Sequence, residues 1–270
     1  MKQLYTLSIF IFLLWPRIVQ AQESFTYCQD GHCRFIQDYD LFASRILTTV
    51  AGNTYQRFRE VSYTCRNQYE YALTFDDGPS RQIRKIASIL RKHQVPATFF
   101  IMGSKLSSQD HIHMIRELHT DGHMIANHSL THPSLIAISK NEALSELNQT
   151  RHLIHSALAG LDYDENNSLV YRPPFGEINE DTGQFLKDHS YHAVIWNSDR
   201  WDWNDYPRET ILNRVAQHLD FNGQINPQNN SILDLNHDRM PATVEALDDM
   251  ISMIKSSGYR FVTVQSCLGL

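Results

Sequence analysis

The stretch Tyr71-Ala72-Leu73-Thr74-Phe75-Asp76-Asp77-Gly78-Pro79 decides how this chain is read. Residues of strand character run into two adjacent carboxylates and a Gly-Pro turn. Arg81–His93 follows, with Ile83, Ile86, Ile89 and Leu90 at helical spacing, and then the apolar run Ala97–Met102. Strand, helix, strand is the unit of a parallel sheet with crossover helices. The alternation continues, predicting strands at Tyr71–Phe75, Ala97–Met102, His123–Asn127, Ser168–Tyr171, His192–Trp196, Ser231–Leu235 and Arg260–Val264. Ser139 and Glu142 form a capping box at the head of a helix over Ser139–Leu158. A further helix over Pro241–Ser257 opens on proline and stops before Gly258. Seven strands suit a barrel or an open doubly wound sheet, and periodicity does not choose between them.

The composition is that of an ordinary globular protein, with 42% hydrophobic and 20% charged residues in 270. A net charge of −6 argues against nucleic acid or an anionic membrane as the main partner. Residues 1–21 read as an export signal. Lys2 precedes the apolar run Leu4–Trp15, Pro16 breaks it, and Val19-Gln20-Ala21 suits cleavage before Gln22. The run is too short to span a bilayer as a helix. Secretion to the medium or periplasm, a monomer and no stable membrane anchor are therefore expected. Residues 22–64 read as an extension packed on the main domain, 65–270, with a helix expected near Tyr39–Arg57. Cys28, Cys33, Cys65 and Cys267 permit three disulfide pairings. Cys28 and Cys33 can close a small loop while Cys65 and Cys267 bracket the rest, which favours those two bonds.

Polar clusters stand at the predicted strand ends, where reactive groups gather in α/β folds. Asp76 and Asp77 can divide labour, one binding a cation and the other taking a proton. His128 and His132, four residues apart, meet on one face if the segment forms a helical turn. With Asp77 they make a two-histidine, one-carboxylate set suited to a catalytic metal. Arg172-Pro173-Pro174-Phe175-Gly176 is a stiff loop able to hold a guanidinium against a carboxylate and aim a backbone N–H. Trp196, Trp201 and Trp203 interleave with Asp199 and Asp202, as sugar-binding surfaces do. His237 has the ordinary pKa range of a general acid.

In order, Thr74-Phe75-Asp76-Asp77-Gly78-Pro79, His128-Ser129-x-x-His132, Arg172-Pro173-Pro174-Phe175-Gly176, Asp199–Trp203 and Leu235-x-His237 resemble the five motifs of the polysaccharide deacetylases, carbohydrate esterase family 4. The resemblance covers about residues 65–270. It implies an α/β fold, a distorted (β/α)7 barrel, to which residues 22–64 add a short N-terminal extension that the resemblance does not cover. It also implies a metal-dependent deacetylase that hydrolyses N-acetyl groups of chitin, chito-oligosaccharide or peptidoglycan. Asp77, His128 and His132 would bind the metal, zinc by preference, with cobalt, nickel or manganese able to substitute. Asp76 would be the general base and Arg172 its orienting partner. The Phe175 N–H would face the oxyanion. His237 would protonate the leaving amine, steadied by Asp202 or Asp199. Leu235 and Trp203 would line the acetyl pocket. The C-terminal segment Phe261–Gly269 resembles that of chitin deacetylases, in which a cysteine after the last strand bridges to one before the first. That supports Cys65–Cys267.

Two other readings stand beside this one: an O-acetyl esterase on acetylated xylan, and a non-catalytic glycan-binding protein on the same scaffold. The second would be expected to lack a ligand, the base or the acid, and none is missing from the motifs.

Overall fold

The computed structural model describes residues 61–225 and 231–270, together with the backbone of four short strands nearer the N-terminus. Those four are β1 (Glu23–Gln29), β2 (His32–Asp38), β3 (Thr49–Val50) and β4 (Asn53–Thr54). β1 and β2 form an antiparallel hairpin that sets Cys28 opposite Cys33. The proposed Cys28–Cys33 bond itself lies outside the described residues, as do the signal segment 1–21 and any cleavage site. β3 and β4 also pair antiparallel, so these four residues of the stretch near Tyr39–Arg57, where a helix is expected, are extended instead, and the rest of that stretch lies outside the described residues. Thr49, Val50 and Thr54 are β-branched and flank Ala51-Gly52, which favours an extended hairpin over a helical turn.

The remaining elements alternate. In chain order they are β5 (Val61–Ser62), β6 (Glu70–Ala72), β7 (Thr74–Gly78), α1 (Ile83–His93), β8 (Thr98–Ile101), α2 (Gln109–Thr120), β9 (Met124–Asn127), α3 (Lys140–Leu158), β10 (Val170–Tyr171) and α4 (Glu180–Asp188). Then come β11 (His192–Val194), β12 (Ser198–Asp199), α5 (Arg208–Ile225), β13 (Ile232–His237), α6 (Pro241–Ser256), β14 (Arg260–Val262) and α7 (Val264–Leu268). Each predicted strand has a counterpart, although the first, Tyr71–Phe75, is broken at Leu73 into β6 and β7, which lie on either side of β13, and β7 runs on through Asp76 and Asp77 to Gly78. The helix α3 carries the expected box, with Ser139 and Glu142 each accepting from the other's backbone.

The sheet is parallel, in the order β14-β6-β13-β7-β8-β9-β10-β11-β5. β12 returns from beyond β11 to pair with β13, Ser198 opposite Asp234 and Asp199 opposite Leu235. The return is two residues long, and the strand pairs among the described residues run from β14 to β5 without closing into a ring. β5 lies inside the predicted extension and joins the sheet beside β11, so the sheet begins before residue 65.

Burial on both faces explains the strand composition. Phe75, Phe99, Ile101 and Ile125 pack outward on Ile83, Ile86 and Leu90 of α1 and on Met114, Ile115 and Leu118 of α2. Ala72, Phe100, Met124, Ala126, Val170 and Leu233 fill the other side with Cys65 and Cys267. Those two cysteines form the expected disulfide, closing a span of 202 residues. At the carboxyl ends of β7, β9, β10, β12 and β13 the side chains become polar.

Candidate active site

β7 ends on the two carboxylates, and they diverge. Asp77 has φ 66°, in the left-handed region, so its side chain leaves the direction that β7 would impose. Ser129, His132, Phe175 and Trp201 share this conformation, with φ between 53° and 64°. Such backbone costs about 1–3 kcal/mol per residue and persists where the surroundings hold it. It recurs here within four of the five motifs.

His128 and His132 do converge, but not through a helical turn. Their segment is a bent loop, and its left-handed residues fold it back. Asn127 Oδ1 accepts from the Ser129 N–H at 3.0 Å, and Ser129 Oγ accepts from the His132 N–H at 3.1 Å. Glu146 of α3 accepts from the Leu130 and Thr131 N–H groups at 2.9 and 2.8 Å, and from the Thr131 hydroxyl at 2.9 Å. Sequence reasoning missed Glu146, because nothing local ties it to a loop about fifteen residues upstream.

The three donor atoms from Asp77, His128 and His132 lie within 4.8 Å of one another. Asp77 Oδ1 stands 3.4 Å from His128 Nε2 and 3.3 Å from His132 Nε2. It is buried and accepts no hydrogen bond. Atoms bound about 2.0–2.2 Å from a tetrahedral ion stand about 3.3–3.6 Å apart, so the observed edges suit zinc. His128 Nδ1 lies 2.8 Å from the Arg172 carbonyl oxygen. Donating there leaves the Nε2 lone pair free toward Asp77. Burial pushes the Asp77 carboxyl up, but the imidazoles beside it outweigh this and hold it well below the usual carboxylate range. The buried, unbonded Asp77 Oδ1 beside His128 Nε2 and His132 Nε2 fits a divalent cation.

Asp76 sits beside this set, 2% exposed, its Oδ1 accepting from Arg172 Nη1 at 2.8 Å. Its Oδ2 turns toward His128, 3.9 Å from Nε2. Arg172 is fully buried, with its guanidinium 4.3 Å from the centroid of the Phe100 ring. Phe175 is 60% exposed and packs edge-on against His132, ring centroids 4.6 Å apart.

His237 ends β13 directly opposite Asp76 in the sheet register. Its Nδ1 is 2.7 Å from Asp202 Oδ1, and its backbone N–H donates to Asp202 Oδ2, also at 2.7 Å. Thr243 Oγ1 donates to the same carboxylate at 2.6 Å. Asp202 is therefore the aspartate that touches His237. Asp199 instead accepts from the Trp201 N–H at 2.7 Å. Burial, opposed by that N–H and aided by Asp202, pushes Asp199 up to about 7. Burial pulls His237 down, but Asp202 first and then Asp76 and Asp77 raise it to about 9. Leu235 is buried next to this arm, and Trp203 is 42% exposed.

Residues 64–194 match the family model described as polysaccharide deacetylase. The chain is 32% identical over 201 residues to a peptidoglycan-N-acetylglucosamine deacetylase of Bacillus cereus, covering 74% of this chain and 68% of that one. It is also 32% identical over 201 residues to the peptidoglycan-N-acetylmuramic acid deacetylase PdaC of Bacillus subtilis, although it spans 38% of that longer protein. The structure of the chitin deacetylase from Colletotrichum lindemuthianum superposes with a TM-score of 0.68 at 26% identity, over 77% of this chain and 91% of the other. With the ordered motifs, these likenesses establish that the chain belongs to the polysaccharide deacetylase family.

Proposed function

We propose that this protein is an exported, zinc-dependent N-deacetylase of glycans containing N-acetylglucosamine. One observation carries the reading: the buried, hydrogen-bond-free Asp77 Oδ1 between two imidazoles, with a carboxylate and an imidazole on neighbouring strands beside it. Asp77, His128 and His132 would hold the ion. When bound, zinc supplies Lewis acidity to the acetyl carbonyl and acidifies the attacking water toward a pKa of ~7.

The chain's own groups do the rest. Asp76 Oδ2 takes the proton of the attacking water, while Arg172 holds Oδ1 and fixes the carboxylate's aim. The left-handed Phe175 presents its backbone N–H to the oxyanion. An amide anion cannot leave, so the nitrogen must be protonated. His237 does this from Nε2, because Asp202 occupies Nδ1 and keeps the ring protonated at neutral pH. Leu235 and Trp203 line the space for the acetyl methyl, and the exposed Trp203 also offers a sugar an apolar face. Residues 1–21 act as the export signal. No helix among the described residues is long and apolar enough to cross a membrane.

The test is acetate release by the full mature chain, residues 22–270, with zinc or with chelator. Chito-oligosaccharides, peptidoglycan and acetylated xylan are offered in turn. Chelator-sensitive acetate from either of the first two is the expected result. Acetate from xylan alone would replace the reading with O-acetyl ester hydrolysis. Stoichiometric zinc with no acetate from any of them would refute catalysis on these glycans.

A further inference from the structure

Beneath the two arms lies a second buried charge pair that the reaction does not touch. Asp234 and Arg200 are 0% and 1% exposed, with Arg200 Nη2 3.0 Å from Asp234 Oδ1. Asp234 Oδ1 also accepts from Ser198 Oγ at 2.7 Å. Its Oδ2 accepts from the Tyr71 hydroxyl at 2.7 Å and from Asn236 Nδ2 at 3.0 Å. Three hydrogen-bond donors and the charge of Arg200 thus surround one carboxylate, close to its roughly four lone-pair sites. Arg200 Nη2, ion-paired with Asp234, donates its hydrogen bond to the Tyr71 hydroxyl at 2.7 Å, which closes a triangle of Arg200, Tyr71 and Asp234.

The position of this cluster gives it a consequence. Arg200 and Ser198 belong to the segment that carries Asp202, and Asp234 lies on the strand that ends in His237. The cluster therefore ties together the two segments that must hold the His237–Asp202 pair at 2.7 Å. It reaches the other arm through Thr74. The Thr74 hydroxyl donates to the Asp234 carbonyl oxygen and accepts from the Arg172 Nη1 that holds Asp76, at 2.5 Å. Asn236 Nδ2, already on Asp234, also donates to the Thr74 carbonyl oxygen at 3.2 Å. Asp234 is the junction of both arms, although it contacts neither Asp76 nor His237.

We propose that Asp234, held by Arg200 and Tyr71, is a positioning residue that sets base and acid relative to one another. The inference rests on the deacetylase reading. Removing a buried partner leaves the rest of the cluster unsatisfied, so the strands shift to find new bonds. A displacement of about 1 Å at the reacting groups can cost about 100-fold in rate.

The test uses the zinc-loaded mature protein with Asp234→Asn, Tyr71→Phe and Arg200→Lys. Turnover is measured on a chito-oligosaccharide and on an aryl acetate, whose leaving group needs no protonation. Zinc content and melting temperature are measured alongside. Asp234→Asn is expected to keep its zinc and lose about 100-fold in kcat on the amide, with KM nearly unchanged. The loss on the ester should be smaller, because only the base arm serves it. Arg200→Lys, which keeps the positive charge, should lose less than Asp234→Asn. Should Asp234→Asn not fold, Tyr71→Phe, which deletes a single hydroxyl, is expected to show the same pattern in smaller measure. A folded variant of Asp234 or Tyr71 that turns over like wild type, well below its melting temperature, overturns the proposal. Should the wild type release no acetate, the deacetylase reading fails first. The downfield imidazole proton of His237 against Asp202 then decides: a shift in Tyr71→Phe supports the positioning role, and an unchanged resonance overturns it.

Discussion

Asp76 and His237 stand opposite each other on neighbouring strands, yet their supports differ in kind. Asp76 is tied to a guanidinium that stays charged at any ordinary pH, and the guanidinium lies buried over an aromatic ring. His237 is tied to a carboxylate, and its own charge changes with pH. Its partner raises it to about 9 against the pull of burial. The contrast fits the proposed chemistry. A base must stay unprotonated and accept a proton, so a fixed cation beside it serves well. An acid must arrive protonated and be recharged, so an anion beside it serves well.

The comparison can be broken most severely at the group both arms face. Asp77→Ala should empty the metal site and remove all measurable turnover. Elemental analysis reads the first effect directly, and full zinc content in that variant would show that Asp77 is not a ligand.

The arms themselves come next. Asp76→Asn and His237→Ala should each cost about 10²–10⁴-fold on the amide while zinc is retained. An aryl acetate should separate them. Asp76→Asn should impair ester and amide alike, whereas His237→Ala should spare the ester. Equal losses on both substrates would erase the distinction between base and acid.

A smaller effect with a definite sign is expected from Asp202→Asn. Asp202 is the strongest of the carboxylates that raise His237 to about 9, so without it burial draws the ring down, opposed only by Asp76 and Asp77. A general acid works only while protonated, and its contribution is lost as pH rises through its pKa. The alkaline limb of the kcat profile should therefore move to lower pH, with turnover at neutral pH down about 10–100-fold. An unmoved limb would assign that limb to another group. Asp199→Asn should leave the limb in place, since Asp199 bonds the Trp201 backbone instead.

Phe175→Ala should be milder. The edge-on contact with His132 is worth about 0.5–1.5 kcal/mol, so zinc affinity should fall by at most about tenfold. Competition with a chromogenic chelator measures this. Least of all should turnover respond to removal of the Cys65–Cys267 bond, which touches neither arm. Replacing both cysteines with alanine should lower stability by about 2–5 kcal/mol in a denaturant titration and leave the rate per folded molecule unchanged.

Much of the fold was legible locally. The predicted strands carry buried residues on both faces, so each reads as a short apolar run, and Ser139 with Glu142 marks the head of α3 unaided. The region before residue 61 was read less well, since Tyr39–Arg57 has a helix-like pattern while its β-branched residues pair across Ala51-Gly52. Within the site, the histidine spacing was informative for the wrong reason. Four residues apart suggested a helical turn, but left-handed Ser129 and His132 bring the rings together instead.

By itself the sequence determined which chemistry was present. Asp76, Asp77, His128, His132, Arg172, Asp202 and His237 are legible because each sits in a short motif after an apolar run, and residue type and order along the chain are local properties. Only the tertiary structure decided which groups touch. Asp202 rather than Asp199 meets His237, because β12 returns to β13 and the chain then turns through a left-handed Trp201. Glu146 braces the histidine loop, and Asp234, Arg200 and Tyr71 close beneath both arms. Those partners lie up to 163 residues apart in the chain. Whether two such groups meet depends on strand order and register, which no window of sequence contains.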